Sequence, residues 1–148
     1  MFVLPADLPP EQPVNYTLVE QCVNRAARHF QIHPYVIKAI IKVEGGKRGT
    51  MSRNSNKTYD MGLMQINTIH LPDIQKQYPN LQWQRIAFSE CTNIAIGTWI
   101  LSQRIAEAKS LWDGVGHYHS KTPKYKQIYL GKIEQAYREV IRNRGSIR

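Results

Sequence analysis

A glutamate closes the most apolar segment of the chain, "VIKAIIKVEGGKRG" at residues 36–49. Helical spacing places Glu44 on one stripe with Ile37 and Ile40, seven and four residues before it. Burial of a carboxyl group disfavours its charged form and so raises its pKa. A carboxyl group that stays protonated near neutral pH can act as a general acid. Glu44 is therefore the first catalytic candidate, and the alternative is an ordinary glutamate that reaches solvent from the helix end.

Other chemistries find little support in the residues. No serine lies in a GxSxG motif, and the sequence has no P-loop and no GxGxxG motif. His117 and His119 would point to opposite sides of a helix, and neither Cys22 nor Cys91 has the spacing of a metal ligand. We therefore predict no metal site and no cofactor. Further polar residues in or next to apolar segments are Asp60, Gln65, Asn67, Asn93 and Tyr118.

Helical periodicity dominates the chain and predicts a mainly α protein. Pro34 suits the first turn of the glutamate helix and Gly45-Gly46 suit its end, while Ser89 suits the cap of the longest helix. Predicted helices cover residues 15–30, 34–44, 89–110, 110–120 and 125–144, with a short one near 70–78. The buried face predicted for the longest helix comprises Cys91, Ile94, Ala95, Thr98, Leu101, Ile105 and Ala108.

The 148 residues suit one domain at 15–148, preceded by a proline-rich arm at 1–14 that is expected to be extended and poorly ordered. Residues 45–60 are rich in Gly, Ser, Asn and Lys, which predicts a polar loop or small hairpin. The opening "MFVLPADLPP" is too short and too rich in proline for a signal peptide. For an exported protein, Met1 would then mark a processed boundary.

The charge balance predicts an anionic partner. Lys and Arg number 20 against 11 Asp and Glu, a formal net charge of +9. Nucleic acid, an acidic lipid surface and an acidic cell-wall polymer would all satisfy that charge. No nucleic-acid-binding motif accompanies the basic residues, so we predict no nucleic-acid partner. No apolar run approaches the roughly 20 residues that a transmembrane helix needs.

Four separated motifs occur together in one order: "AIIKVEGG", "YDMGLMQIN", "NIAIGTWIL" and "VGHYHS". This combination, over about residues 15–140, resembles the catalytic domain of lytic transglycosylases. It is most similar to the small members that accompany secretion, conjugation and pilus machinery of Gram-negative bacteria. The resemblance implies a lysozyme-like, mainly α domain of the goose-type lysozyme and soluble lytic transglycosylase kind.

The resemblance also implies roles for individual residues. Glu44 would be the single catalytic acid and base in cleavage of the β-1,4 bond between N-acetylmuramic acid and N-acetylglucosamine. The product would be a 1,6-anhydro sugar, formed without water. Tyr118 would hydrogen-bond near the catalytic carboxyl group and hold it. The implied substrate contacts are Met64, Gln65, Asn67 and Tyr118, and the implied supporting residues are Asp60, Asn93 and Gly97.

Two positions depart from the family pattern. Gly45 stands where many relatives have serine, so a hydroxyl contact to the acid would be absent or supplied from residues 50–58. His119 stands where many have asparagine, and it would orient substrate or cap its helix. For Asp60, the favoured interpretation is a side chain that bonds turn amides before Gly62.

The cysteines allow two interpretations from the residues alone, a long-range disulfide between Cys22 and Cys91 or two buried thiols. Their positions resemble those of the paired cysteines in the secretion-associated members, which favours the disulfide.

The leading functional hypothesis is an enzyme of the periplasm that opens peptidoglycan locally for an envelope-spanning machine. One alternative is a hydrolytic muramidase on the same fold, which would show a second carboxylate facing Glu44 across the groove. Another is a non-catalytic peptidoglycan-binding scaffold. The basic surface would meet the carboxylates of peptidoglycan stem peptides.

Overall fold

The helix that carries Glu44 lies at the centre of the protein in a computed structural model, which describes residues 2–148. Ile37 and Ile40 are fully buried there, as their spacing predicted. The described helices are α1 (Tyr16–Phe30), α2 (Pro34–Glu44), α3 (Leu71–Gln77), α4 (Trp83–Phe88), α5 (Glu90–Glu107), α6 (Leu111–His119) and α7 (Pro123–Arg142). The strands are β1 (Met51–Arg53), β2 (Tyr59–Met61) and β3 (Ile66–Asn67). The prediction of a mainly α, lysozyme-like fold is confirmed.

Side-chain caps, a proline and a glycine mark the starts and ends of these helices. The Asn15 side chain accepts a hydrogen bond from the Leu18 amide at the start of α1. Ser89 caps α5 in the same way through the Thr92 amide. Pro34 lies in the first turn of α2, and Gly45 ends that helix with a φ of +70°. A left-handed φ costs glycine little, which explains why α2 stops directly after Glu44.

The long helix α5 is buried on more than one side, which differs from the predicted single stripe. It packs against α1, α4 and α6, so residues outside that stripe are also covered. Ala95 was predicted to be buried but is exposed, whereas Asn93 and Gly97 are buried. The stripe prediction failed because a helix covered by several neighbours shows no single apolar face.

A small antiparallel sheet follows the glutamate helix. Its strand order is β1-β2-β3, with Ser52 opposite Asp60 and Asp60 opposite Asn67. The predicted hairpin in 45–60 is present as β1 and β2, and β3 extends the sheet into the "GLMQIN" motif. Helix α4 and strand β3 were not predicted, because six- and two-residue elements are too short to show a period.

Asn93 joins α5 to the sheet region. Its side-chain oxygen accepts a hydrogen bond from the Met64 amide at 2.8 Å, and its Nδ2 donates to the carbonyls of Met61 at 2.8 Å and Ile86 at 3.0 Å. One turn further along α5, Gly97 faces Met64, whose Sδ and Cε leave no room for a side chain there. The Met64 side chain thus occupies the space beside Gly97, which explains a glycine inside α5.

The N-terminal arm is extended but lies against the domain. Phe2 makes edge-to-face contacts with Tyr59 and Trp83, at centroid distances of 5.7 and 5.1 Å. The Gln12 amide donates to the Arg48 carbonyl at 2.8 Å. The expectation of a poorly ordered arm therefore needs correction: its aromatic residue and backbone groups have partners. The domain boundary near residue 15 stays a prediction.

Cys22 of α1 and Cys91 of α5 form a disulfide with a Cα–Cα distance of 5.2 Å. Of the two open interpretations, the structure shows the disulfide. It closes a long segment and fixes α1 against α5, the helix that carries Asn93 and Gly97.

Residues 2–148 lack two kinds of feature. No helix there has both the length and the apolar character to cross a membrane. No three side chains of the His, Cys, Asp or Glu type come together there in a way that could hold a metal ion.

Candidate active site

A polar groove of about 490 Å³ lies beside the C-terminal end of α2. Glu44 enters it from α2, Asp60 from β2, and Tyr118 from α6. Amide and hydroxyl groups dominate the rest of its lining, as in a site that recognises a hydroxyl-rich ligand. The groove brings together six residues singled out from the sequence, namely Glu44, Asp60, Gln65, Asn67, Tyr118 and His119.

The surroundings of Glu44 raise the pKa of its carboxyl group towards neutral pH. Burial raises the pKa of this carboxyl group from an ordinary value near 4.5 to about 7, and the negative charge of Asp60 acts in the same direction. The hydrogen bond from Tyr129 and the cation of Lys132 oppose the rise. At neutral pH a substantial fraction of Glu44 is therefore protonated and able to donate a proton.

Tyr129 of α7 holds the carboxyl group of Glu44. Its hydroxyl donates to Oε2 at 2.8 Å, whereas the Tyr118 hydroxyl donates to the Met64 carbonyl at 2.7 Å. Tyr118 was expected to hydrogen-bond near the carboxyl group and hold it. That expectation is wrong, because Tyr129 holds the carboxyl group and Tyr118 bonds the Met64 carbonyl. Burial and the nearby Glu44 raise the pKa of Tyr129, so its hydroxyl keeps its proton and remains a donor.

The sequence analysis missed Tyr129, although a signal was present. Tyr129, Ile133, Ala136 and Val140 are the buried residues of α7 and lie at helical spacing. A tyrosine on such a face needs a partner for its hydroxyl group when it is buried. That requirement pointed to a polar contact beneath α7 without identifying the partner.

His119 stacks on Tyr129. The two rings are nearly parallel, at 12° and a centroid distance of 4.7 Å. Burial and the cation of Lys132 lower the pKa of His119, which favours the neutral imidazole. His119 thus supports the tyrosine that contacts the acid and also lines the groove. This contact explains its position better than the helix cap considered from the sequence.

Asp60 faces the groove and does not bond turn amides. Its Oδ1 accepts a hydrogen bond from Asn67 Nδ2 at 2.9 Å, across the pair that joins β2 to β3. The Asn67 amide group also donates to Thr58 Oγ1 at 3.0 Å, and its oxygen accepts from the Ile69 amide. Internal bonds therefore use much of the Asn67 side chain. The favoured sequence interpretation of Asp60 as a turn residue is wrong.

Gln65 has a left-handed backbone, with a φ of +52°. Its Nε2 donates to the Gly62 carbonyl at 2.9 Å, while the side chain lines the groove. Left-handed backbone in a residue other than glycine is uncommon and is often found at functional sites. The Gly62 carbonyl and the Gln65 amide also leave no space for a side chain at Gly46. Gly46 thus accommodates the close approach of the protein's own backbone.

Met64 cannot contact a substrate through its side chain. The side chain is 0% exposed and packs against Gly97 of α5. Its backbone links Tyr118 to Asn93, because its carbonyl accepts from the Tyr118 hydroxyl and its amide donates to Asn93 Oδ1. The predicted substrate contact is therefore wrong. Asn93 and Gly97 lie outside the groove lining and support the Met64 segment from behind.

Gly45 caps α2 and faces open space, since nothing lies within 4 Å of where a side chain would begin. The hydroxyl group found bound to Glu44 in residues 2–148 comes from Tyr129, not from the 50–58 segment. The missing serine at position 45 therefore leaves the acid with a partner supplied by α7.

Tyr129→Phe should lower about tenfold the rate of any reaction in which Glu44 is the acid, since a hydrogen bond to a charged group is worth about 1.5–3 kcal/mol. The alkaline limb of the pH profile should move to higher pH, because this bond lowers the pKa of Glu44. Turbidity of sacculi measured against pH tests both effects. Tyr137→Phe removes a hydroxyl from the same helix where the ring packs on Trp112, and should change neither. An alkaline limb that stays in place or moves to lower pH contradicts the role assigned to Tyr129.

The chain matches known proteins over most of its length. Residues 21–130 match the family described as the transglycosylase SLT domain. A protein of Escherichia coli O157:H7 named "Peptidoglycan-binding-like protein" is 34% identical over 105 residues, which cover 67% of this chain and 63% of that protein. This chain therefore spans less than two thirds of the length of that relative.

Two further relatives match a larger part of this chain. The invasion protein IagB of Salmonella typhimurium strain SL1344 is 30% identical over 124 residues, 80% of this chain and 76% of IagB. The protein IpgF of Shigella flexneri is 26% identical over 123 residues, 82% of this chain and 80% of IpgF. The family match runs from within α1 into the first turns of α7 and includes Glu44, Asp60 and Tyr129. On this evidence, together with the lysozyme-like fold and the groove at Glu44, the chain belongs to the SLT transglycosylase family.

Proposed function

We propose that the chain is a lytic transglycosylase that cleaves the β-1,4 bond between N-acetylmuramic acid and N-acetylglucosamine in peptidoglycan. One observation carries the proposal: a groove lined by amides and hydroxyls contains a carboxyl group whose pKa is raised to about 7. Such a group can give a proton to a leaving oxygen and later take one back at the same pH.

Glu44 performs both proton transfers in this mechanism. Its proton goes to the glycosidic oxygen as the bond to C1 of the muramic sugar breaks. The N-acetyl oxygen of the same sugar stabilises the cationic carbon. The C6 hydroxyl then closes on C1 and returns its proton to Glu44, so the product is a 1,6-anhydro sugar. Tyr129 keeps the carboxyl group in place through both steps.

Hydrolysis is the second candidate, and Asp60 supports it. Glycosidases that use water commonly place two carboxyl groups about the bond, roughly 5–5.5 Å apart for retention or 6.5–9.5 Å for inversion. Asp60 shares the groove with Glu44 and raises its pKa, so Asp60 is the candidate for the second carboxylate that a muramidase would need. Its bond to Asn67 fixes its position. In the transglycosylase mechanism Asp60 would stabilise the cationic carbon electrostatically.

Mass spectrometry of soluble products separates the two reactions. Purified protein incubated with peptidoglycan sacculi should release fragments that end in 1,6-anhydro-muramic acid. Hydrolysis would give reducing ends heavier by one water, about 18 Da. Reducing ends that disappear in Asp60→Asn would establish the muramidase. No soluble product at all would favour the non-catalytic scaffold.

The setting of the reaction follows from the substrate. Peptidoglycan lies outside the cytoplasmic membrane, so we propose that the protein acts in the periplasm. We also propose that it works beside an envelope-spanning secretion, conjugation or pilus machine, and the similarity to IagB, which is named an invasion protein, is compatible with such a setting. The net charge of +9 favours contact with the carboxylates of stem peptides.

A further inference from the structure

A second groove, of about 480 Å³, lies between α1, α4 and α5 and shares no lining residue with the groove at Glu44. We call it the α1–α5 groove. Its lining includes the apolar groups of Ala26, Leu81 and Ile96 together with the disulfide. The volume is within the range of about 300–1,000 Å³ that is typical of binding pockets.

Two arginines line this groove and have no carboxylate partner in residues 2–148. Arg25 and Arg85 line it and are exposed, and neither forms an ion pair within residues 2–148. His29 also lines it, and no Asp or Glu does. Elsewhere in residues 2–148, six Lys and Arg side chains pair with carboxylates. The positive charge here is thus available to a partner.

A partly exposed tyrosine at the edge of the α1–α5 groove is a second feature of a binding surface. Tyr78 at the edge of the α1–α5 groove is 38% exposed and rests on Trp99 of α5 at 5.8 Å. Partly exposed tyrosine and arginine residues are the types enriched at protein interfaces. An apolar floor, a tyrosine and unpaired arginines therefore occur together at one depression.

We propose that the α1–α5 groove binds an acidic amphipathic segment of a partner protein, with apolar side chains on the floor and carboxylates at Arg25 and Arg85. The charge excludes a basic segment. A glycan strand would need the amides and hydroxyls that line the groove at Glu44, and this floor is mainly apolar. A bilayer is flat and suits a protruding surface, whereas this surface is a depression.

Binding of a designed probe tests the proposal. The probe is a fluorescein-labelled helical peptide of about 15 residues, with leucine on one face and glutamate on the other. We expect it to bind the full chain at about 150 mM salt, where distant charges are screened. Arg25→Glu with Arg85→Glu should weaken binding at least tenfold, measured by fluorescence anisotropy. Ala95→Trp should weaken it similarly without a charge change, because exposed Ala95 lines the groove.

The controls separate this groove from general charge attraction. Lys109→Glu with Lys124→Glu makes the same change in net charge at two exposed residues elsewhere and should leave binding intact. A peptide with lysine in place of glutamate should not bind. Equal losses in both double variants, equal binding of both peptides, or no binding of the acidic peptide would overturn the proposal. So would vesicles of anionic lipid that bind through Arg25 and Arg85 while the peptide does not.

The outcome does not depend on the proposed enzymatic function, because the variants lie outside the groove at Glu44. Release of soluble products from sacculi should be unchanged in Arg25→Glu with Arg85→Glu. Failure to bind the peptide in a protein that still releases products would refute the docking site alone.

Discussion

Glu44→Gln should lower the rate of peptidoglycan solubilisation by about 10²–10⁴-fold, the contribution usual for a general acid and base. Glutamine keeps an oxygen that can accept the hydrogen bond from Tyr129, so the geometry of the groove should persist. It has no proton to give at any accessible pH. The loss should therefore appear as a lower turnover rate across the whole pH range, measured by turbidity of sacculi and by mass spectrometry of products.

The pH profile of the unaltered protein should reflect the same group. Because the pKa of Glu44 is raised to about 7, the acid is protonated below that pH and loses its proton above it. The rate should fall as the pH rises through about 7. A limb at ordinary carboxyl pKa values, near 4.5, would contradict the environment assigned to Glu44.

Glu44→Gln should stabilise the folded protein more at high pH than at low pH. A raised pKa means that the folded state binds more protons than the unfolded state between about 4.5 and 7, so stability falls as the pH rises through this range. Removing the charge should thus raise the melting temperature above pH 7, and by more than it does near pH 4.5. Calorimetry at the two pH values measures the difference.

Glu134→Gln is a matched control, since Glu134 is an exposed carboxylate of α7 paired with Arg138. It should keep full activity and show no such pH-dependent gain. Activity that survives Glu44→Gln would remove Glu44 as the acid and leave Asp60 as the carboxylate to test.

Local signals in the sequence were enough to place the acid. An apolar stripe, a proline at the helix start and a glycine pair at its end fixed α2 and the position of Glu44, because each acts within a few residues. The polar residues Gln65, Asn67 and Tyr118 were predicted near one another through the family resemblance. All three line the groove, although their functional roles stay predictions.

Contacts distant in sequence were not predictable in the same way. Tyr129 contacts Glu44 across 85 positions, and no period or spacing connects them. Met64 was predicted to contact the substrate because it lies in a family motif next to the site. Its burial could not be predicted, because buried and exposed residues follow no regular pattern in a short turn. The direction in which a side chain points in such a segment depends on which helix packs behind it, here α5.

Cys22→Ala with Cys91→Ala should reduce the free energy of unfolding by about 4 kcal/mol. The chain-entropy relation gives this value for a closed loop of the length set by a separation of 69 residues. Domains of this size are stable by only about 5–15 kcal/mol, so the loss is a large fraction of the total. The melting temperature should fall by roughly 10–15 °C.

Denaturation with urea measures this loss, and a reducing agent provides the control. The unaltered protein in excess dithiothreitol should unfold near the midpoint of the double alanine variant, while the variant should not respond to the reductant. A matched substitution of one buried alanine, Ala26→Ser, should keep its response to reductant because the disulfide remains. Equal midpoints for oxidised protein and double variant would show that the bond contributes nothing.

The disulfide and the groove at Glu44 should respond separately, because the bond joins α1 to α5 while Glu44 is held by Tyr129 of α7. Below its melting temperature the double variant should thus give the same products as the unaltered protein, at a similar rate. Altered products would instead mean that α5 carries the effect to the site through Asn93, which is hydrogen-bonded to Met61 and Met64. Product masses at low temperature therefore distinguish a stabilising bond from one that also shapes the groove.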